Sequence, residues 1–292
     1  MNKKTIPSPH PEIIKKFVGQ AKQEDLGTGD HTTMATIPIM AKGQMQLLVK
    51  ESGIIGGIQA AKMIFKEWDP KIRFKAFTVD GEKAKKGTVA FIVTGPVHSL
   101  LSSERTILNV MQRMSGIATQ THKLIQLCRP YRTKVTDTRK TTPLFRTFEK
   151  WAVLIGGGVN HRMGLYDMIL IKDNHIDFCG GITEAVSAAG AYRRKNKLGI
   201  KIEVECRTLK DVEKVVAQGI ADRILFDNFT VPQTLLAVSK VNGKMITESS
   251  GGITEKNIAF YSKTGVDLIS IGALTHHVRS LDLSLKAKFE KK

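Results

Sequence analysis

The chain has 292 residues, a length that predicts two domains or one barrel with an added unit, and its apolar (41%) and charged (25%) fractions are ordinary for a globular protein. Its 45 Lys and Arg against 27 Asp and Glu give a formal net charge of +18, which points to an anionic partner: nucleic acid, an anionic membrane surface or a multiply charged metabolite. Cys128, Cys179 and Cys206 are widely spaced and lack a Cys-x-x-Cys pair, which argues against a disulfide framework and a structural zinc site and predicts a reducing cytoplasm. No apolar run approaches the ~18 residues that span a bilayer, and Met1 to Pro11 carries Pro and Ser where an export leader has an apolar core, so neither membrane nor export is expected. The clusters Lys83-Lys85-Lys86, Arg193-Arg194-Lys195 and Lys291-Lys292 read as solvated faces and tails. Zinc-finger spacing, an RNP-like aromatic motif and a basic region before heptads are all absent, so no nucleic-acid partner is expected.

The apolar spacing Ile13, Ile14, Phe17, Val18, Ala21 predicts a helix from Pro11 to Ala21 that runs into an acidic, glycine-containing turn, Glu24 to Asp30. Strands are predicted at Gln44 to Lys50, Arg73 to Val79 and Val89 to Thr94, around a helix at Gln59 to Trp68, which makes an α+β unit. A helix starting near Ser102 and carrying Ile107, Leu108, Met111, Met114, Ile117 and Ala118 toward Cys128 links this unit to the next. Beyond Pro130 the texture becomes alternating strand and helix, the pattern of a parallel sheet, with strands at 133–136, 168–171, 202–206, 223–226, 244–247 and 268–271. These close into a small barrel or remain an open doubly wound sheet. Alternation along Lys201 to Cys206 favours the barrel, because it turns Glu203 and Glu205 to one face and Ile202, Val204 and Cys206 to the other.

In either architecture ligands bind at the carboxyl ends of the strands, and here those ends are polar. They read Asp137-Thr138-Arg139-Lys140, Lys172-Asp173-Asn174-His175, Glu205, Asp227-Asn228, Glu248-Ser249-Ser250-Gly251-Gly252 and Gly272-Ala273. Ser249 to Gly252 leads into a predicted helix at Thr254 to Thr264, and Gly272-Ala273 opens a second helical turn; both offer backbone N–H groups where glycine permits close approach, a cradle for phosphate. Glu205 and Asp227 are hard oxygen donors suited to Mg²⁺ held mainly through substrate phosphates. The segment Gly156 to Asp167 has no periodicity and is expected to be a specialised loop. It brings His161 and Arg162 to Arg139, Lys140 and Lys172, a set of cations matched to two carboxylates. Its three glycines lack the dinucleotide-binding spacing.

Across nearly the whole chain these blocks resemble one family, the quinolinate phosphoribosyltransferases, also called carboxylating nicotinate-nucleotide pyrophosphorylases. The resemblance is carried by Glu24 to Asp30, Glu104-Arg105, Gln112 to Thr119, Asp137 to Pro143, Gly156 to Asp167, Ile171 to His175, Glu203 to Glu205, Asp227-Asn228, Ser250 to Ile253 and Gly272 to Thr275. It implies an α/β fold, an incomplete (β/α) barrel of about six to seven parallel strands over 116–275, with an α+β open-sandwich domain over 1–115 completed by 276–292. It implies transfer of phosphoribosyl from phosphoribosyl pyrophosphate (PRPP) to quinolinate with decarboxylation, in a homodimer whose sites each receive Arg105 from the partner. Carried over by position, Arg105, Thr138, Arg139, Lys140, His161, Arg162 and Lys172 hold quinolinate and its surroundings. Glu205 and Asp227 face ribose, pyrophosphate and Mg²⁺, and Ser250, Gly251, Gly252 and Gly272 hold the 5′-phosphate. Lys140, Lys172, Glu205 and Asp227 are the expected catalytic residues.

Overall fold

A computed structural model describes residues 6–288; Met1 to Thr5 of the leader reading and the Lys291-Lys292 tail lie outside the described residues. In chain order the elements are α1 (Pro11–Leu26), α2 (His31–Thr36), β1 (Lys42–Val49), β2 (Gly53–Ile54), α3 (Ile58–Trp68), β3 (Arg73–Ala76), β4 (Lys83–Ala84), β5 (Val89–Pro96) and α4 (Val97–Cys128). There follow β6 (Lys134–Thr136), α5 (Arg146–Ile155), β7 (Met168–Ile171), α6 (Asp173–Phe178), α7 (Ile182–Lys195), β8 (Lys201–Cys206), α8 (Leu209–Gln218), β9 (Arg223–Asp227) and α9 (Val231–Val241). The chain ends with β10 (Ile246–Ser250), α10 (Ile258–Lys263), β11 (Leu268–Ser270), α11 (Ala273–His276) and β12 (Leu283–Ala287).

One compact unit comprises, among the described residues, 6–122, 142–157 and 277–288. Its main sheet is antiparallel in the order β12-β1-β5-β3, so a C-terminal strand completes an N-terminal sheet. Alternation on β1 buries Met45, Leu47 and Val49, and Phe65 of α3 meets Phe74 and Phe91 in an aromatic cluster. The amino end of α3 is closed from a distance by Asp80, whose carboxylate accepts the N–H groups of Gly57, Ile58 and Gln59. Gly116 on α4 is needed for space, since a Cβ there would lie 2.2 Å from the carbonyl oxygen of Arg279 in the returning C-terminal segment. Residues 142–157 pack in this unit, although their place in the sequence suggests the other one. Their reason is α5, whose Phe148 ring sits 4.7 Å from Phe17 of α1 and whose Glu149 is bound by Arg113 of α4.

The second unit, Lys123–Thr141 and Gly158–His276, holds six parallel strands in the order β6-β11-β10-β9-β8-β7. This is sequential order with the first strand rotated to sit beside the last. A doubly wound sheet reverses direction at a switch point; this one does not, and it is an incomplete barrel with β6 and β7 as its edges. Helices α7, α8, α9 and α10 pack against the strands, while alternate side chains turn inward: Glu203 and Glu205 of β8, Arg223, Leu225 and Asp227 of β9, Glu248 and Ser250 of β10. Strand β10 begins later than the expected 244–247, because Lys244 is still tied to Val241 in the turn closing α9. It then runs through Glu248-Ser249-Ser250, where a polar inner face hides the apolar signature of a strand.

Candidate active site

A cavity of about 730 Å³ occupies the carboxyl ends of the six strands, in the size range of small-molecule sites. Thr138, Arg139 and Lys140 enter it after β6 and Lys172 and Asp173 after β7. His161 and Arg162 reach it from the loop that precedes β7, and that loop is pinned internally. Val159 bridges to Thr136, the His161 N–H donates to buried Asp137 at 2.9 Å, and the Met163 and Gly164 N–H groups donate to Asp167. These bonds explain a stretch without periodicity: its backbone is fixed by Asp167 of the same segment, by Thr136 of β6 and by Asp137 just after it.

Two layers of acids lie below the cations. In the upper one, Glu205 is nearly buried, its Oε2 is 3.8 Å from Lys172 Nζ, and Asp227 also lines the cavity. Burial pushes the Glu205 carboxyl up from its ordinary value; Lys172 opposes the shift and Asp227 adds to it. In the lower layer Glu203 and Glu248 are wholly buried. Arg223 Nη1 donates to Glu248 at 3.0 Å and stands 3.8 Å from Glu203, and His161 Nε2 is 2.9 Å from Glu203 Oε2 and 3.7 Å from Glu248 Oε1. Burial drives both carboxyls up to about 7. The other ring nitrogen of His161, Nδ1, accepts the Arg162 N–H at 2.7 Å, so the imidazole faces the buried acids through Nε2 and its own loop through Nδ1 while it lines the cavity. Arg162 is itself 8% exposed and donates to the Met168 carbonyl; burial, then Arg139, lower its affinity for the proton.

A further wall is formed by Ser250, Gly251, Gly252, Ile253, Gly272 and Ala273. Gly251 has φ +90 and a Cβ there would fall 2.2 Å from Asn228 Oδ1, so this position admits glycine alone. The helix expected from Thr254 begins only at Ile258, because Asn257 accepts the Thr254 N–H and returns a bond to the Gly252 carbonyl, holding 252–257 as a turn. The glycine wall is therefore a loop cradle at this end, whereas Gly272 does open directly into α11.

Of the residues singled out in the sequence, twelve share this cavity: Thr138, Arg139, Lys140, His161, Arg162, Lys172, Glu205, Asp227, Ser250, Gly251, Gly252 and Gly272. Arg105 does not. It is exposed on α4 and lines a separate groove of about 820 Å³ with Lys16, Phe17, Asn109 and Leu144. The cavity also contains residues with no role assigned from the sequence, although Asp173 and Glu248 stand in its polar strand ends. Asp173, Glu248 and Ser270 are inward or strand-end positions, and His276 lies one helical turn past Gly272, a spacing that marks it in retrospect. Arg223 was legible only as a strand residue, yet it stands in register with Glu203.

A barrel whose strand ends gather cations, a hard-oxygen pair and a glycine-walled recess into one cavity defines an enzyme acting on anionic, phosphorylated substrates. Residues 117–286 match the family description "Quinolinate phosphoribosyl transferase, C-terminal domain" and residues 30–115 match its N-terminal domain. The chain belongs to the quinolinate phosphoribosyltransferase family. It is 43% identical over 300 residues to quinolinate phosphoribosyltransferase [decarboxylating] 1 of Nicotiana glauca, covering 97% of this chain and 85% of that protein. It is 41% identical over 273 residues to the probable carboxylating nicotinate-nucleotide pyrophosphorylase of Bacillus subtilis, covering 93% and 92%. The solved nicotinate-nucleotide pyrophosphorylase of Francisella tularensis superposes with a TM-score of 0.89 at 38% identity over 98% of this chain and 100% of that one. Among the described residues no helix is long and apolar enough to cross a membrane.

Proposed function

We propose that this cavity joins quinolinate to the ribosyl C1′ of PRPP and releases pyrophosphate and carbon dioxide, giving nicotinate mononucleotide for NAD synthesis. The observation that carries this reading is the meeting of both recognition elements in one 730 Å³ space, where four Arg and Lys side chains share the lining with a wall of glycines and with Glu205 and Asp227. Arg139, Lys140, Arg162 and Lys172 bind the two carboxylates of quinolinate, the guanidinium groups in bidentate fashion. Ser250, Gly251, Gly252 and Gly272 receive the 5′-phosphate. His161 orients Arg162 through the bond between its ring and the Arg162 N–H.

Glu205 and Asp227 fit a magnesium pyrophosphate: both are hard oxygen donors lining the cavity, and the nearby Asp227 charge adds to the burial that raises the Glu205 carboxyl, which a divalent cation would relieve. Held there together with PRPP, Mg²⁺ would supply positive charge to the pyrophosphate as it leaves. The C1′–oxygen bond breaks with its electron pair going to pyrophosphate, and the quinolinate nitrogen bonds to C1′, whose developing positive charge Glu205 and Asp227 stabilise. The alkylated, cationic ring then accepts the electron pair of the C2–carboxylate bond as carbon dioxide departs. Lys140 and Lys172 stand beside that carbon to stabilise its charge and supply the proton that replaces the carboxylate.

The site is completed by a second copy of the chain in a homodimer. This is supported by Arg105, which is exposed and lies outside the cavity of its own chain. A cytoplasmic setting is supported by the three free cysteines.

Lys140→Ala is expected to lower kcat by ~10²–10⁴-fold with the fold intact; an undiminished rate removes Lys140 from the chemistry. Arg105→Ala and Lys172→Ala chains, each inactive alone, are expected to regain activity when mixed, since one site of the mixed dimer then carries both native residues. Mixed dimers without activity would contradict the shared site.

A further inference from the structure

Thr275 closes the motif Gly272-Ala273-Leu274-Thr275, and nothing in the proposed chemistry uses it. Its side chain is fully buried at the carboxyl end of the last barrel strand, in α11. The Oγ1 atom lies 2.6 Å from the carbonyl oxygen of Lys140, which follows the first strand, and 3.2 Å from that of Gly272. One hydroxyl has one proton. The Gly272 carbonyl already accepts the N–H groups of Thr275 and His276 at 3.0 and 3.2 Å, so the hydroxyl proton goes to the shorter contact, on Lys140.

The other backbone polar group of Lys140 is held the same way, its N–H donating to Thr138 Oγ1 at 3.0 Å. Lys140 is thus fixed at both backbone polar groups by threonine hydroxyls, one from its own loop and one from the turn after the neighbouring strand β11. Its stem is also confined: a Cβ on Gly272 would lie 3.0 Å from Lys140 Cδ and 2.9 Å from His276 Nε2. The long flexible stem of a lysine gives its ammonium little intrinsic placement, so a fixed backbone and a close wall determine where the charge sits.

We propose that Thr275 is a positioning residue for Lys140, with its hydroxyl tying the amine of the decarboxylating step to the turn that forms the phosphate cradle. This rests on the role given to Lys140 above. Misplacing a catalytic group by about 1 Å costs on the order of 10²-fold in rate, whereas binding of either substrate draws on several other groups. The effect therefore falls on kcat more than on KM.

The test compares Thr275→Val, which keeps the shape and removes the donor, with Thr275→Ser, which keeps the donor, and with Lys140→Ala, in the full-length enzyme with quinolinate, PRPP and Mg²⁺. Thr275→Val is expected to lose about 10–100-fold in kcat, with both KM values within about threefold, and Thr275→Ser to stay within about threefold of the parent. A Thr275→Val kcat within twofold of the parent, or a Thr275→Ser variant as slow as Thr275→Val, overturns the proposal. Should Thr275→Val fail to fold, Thr275→Cys, a weaker donor of similar size, replaces it: a kcat at least tenfold below that of Thr275→Ser supports the proposal and an equal one overturns it. If Lys140→Ala keeps its rate, the reading of Lys140 fails first; if Lys140→Ala collapses while Thr275→Val does not, only the positioning role is lost.

Discussion

The protein buries carboxylates in two places, and they are organised differently. In the first unit Glu149 is fully buried and each oxygen is matched: Oε1 accepts Arg113 Nε and Nη2 and the Thr142 hydroxyl, and Oε2 accepts the Thr142 N–H, all between 2.8 and 3.0 Å. In the second unit, under the cavity, Glu203 Oε1, Glu248 Oε1 and Arg223 Nε have no hydrogen-bond partner among the described residues, and burial drives both carboxyls up to about 7. A buried polar group left unmatched costs stability. The first cluster is therefore one that holds a fold together, and the second is one tolerated because it shapes the floor of the cavity, holding His161 at its wall. Perturbed carboxyls in a cleft mark function for the same reason.

The largest expected effect breaks the satisfied cluster. Glu149→Ala strips Arg113 and Thr142 of a shared buried acceptor and is expected to cost ~3–5 kcal/mol in denaturant unfolding; a loss below 1 kcal/mol would erase the contrast. The floor behaves in the opposite sense and depends on pH. A carboxyl raised in the folded state binds its proton more tightly there than in the unfolded chain. Its contribution is thus present below about pH 4.5 and lost as pH climbs to about 7. Glu248→Gln removes that loss, so the stability of the variant relative to the parent is expected to rise across this window, by up to ~3 kcal/mol. A flat or falling difference contradicts the assignment. The smallest effect concerns Leu144, which holds φ +63 while 88% exposed, a left-handed conformation that costs a non-glycine residue ~1–2 kcal/mol. Leu144→Gly relieves it at the expense of a more flexible unfolded chain, and a net gain of ~0.5–1 kcal/mol is expected in the denaturant midpoint. A loss instead would show that the leucine side chain is held by contacts worth more than its strain.

The same contrast explains what could be read without coordinates. Strand ends such as Asp137-Thr138-Arg139-Lys140 and Asp227-Asn228 announce themselves because polar residues at the close of apolar strands have no structural reason to recur, and ten of the site residues chosen this way line one cavity, joined there by His161 and Arg162 of the loop without periodicity. Alternation on β8 gave the inward face of Glu203 and Glu205. What alternation cannot supply is register between strands, so the pairing of Glu203 with Arg223 and the approach of Glu248 and His161 stayed hidden. Residues 142–157 were misleading for a related reason: Phe145, Phe148 and Glu149 find partners on Phe17 and Arg113, and those long-range contacts outweigh their position between two barrel strands. The early end of the predicted strand at 244–247 and the late start of α10 both come from local side-chain bonds and polar inner faces that periodicity does not report.

The central claim is that one cavity carries out both phosphoribosyl transfer and loss of a carboxylate. Its most direct test is release of labelled carbon dioxide from carboxyl-labelled quinolinate, measured with and without PRPP and Mg²⁺, with nicotinate as the comparison substrate. Release that requires both additions, while nicotinate yields no nucleotide, is the predicted result; no release under any of these conditions, or equal nucleotide formation from nicotinate, would contradict it.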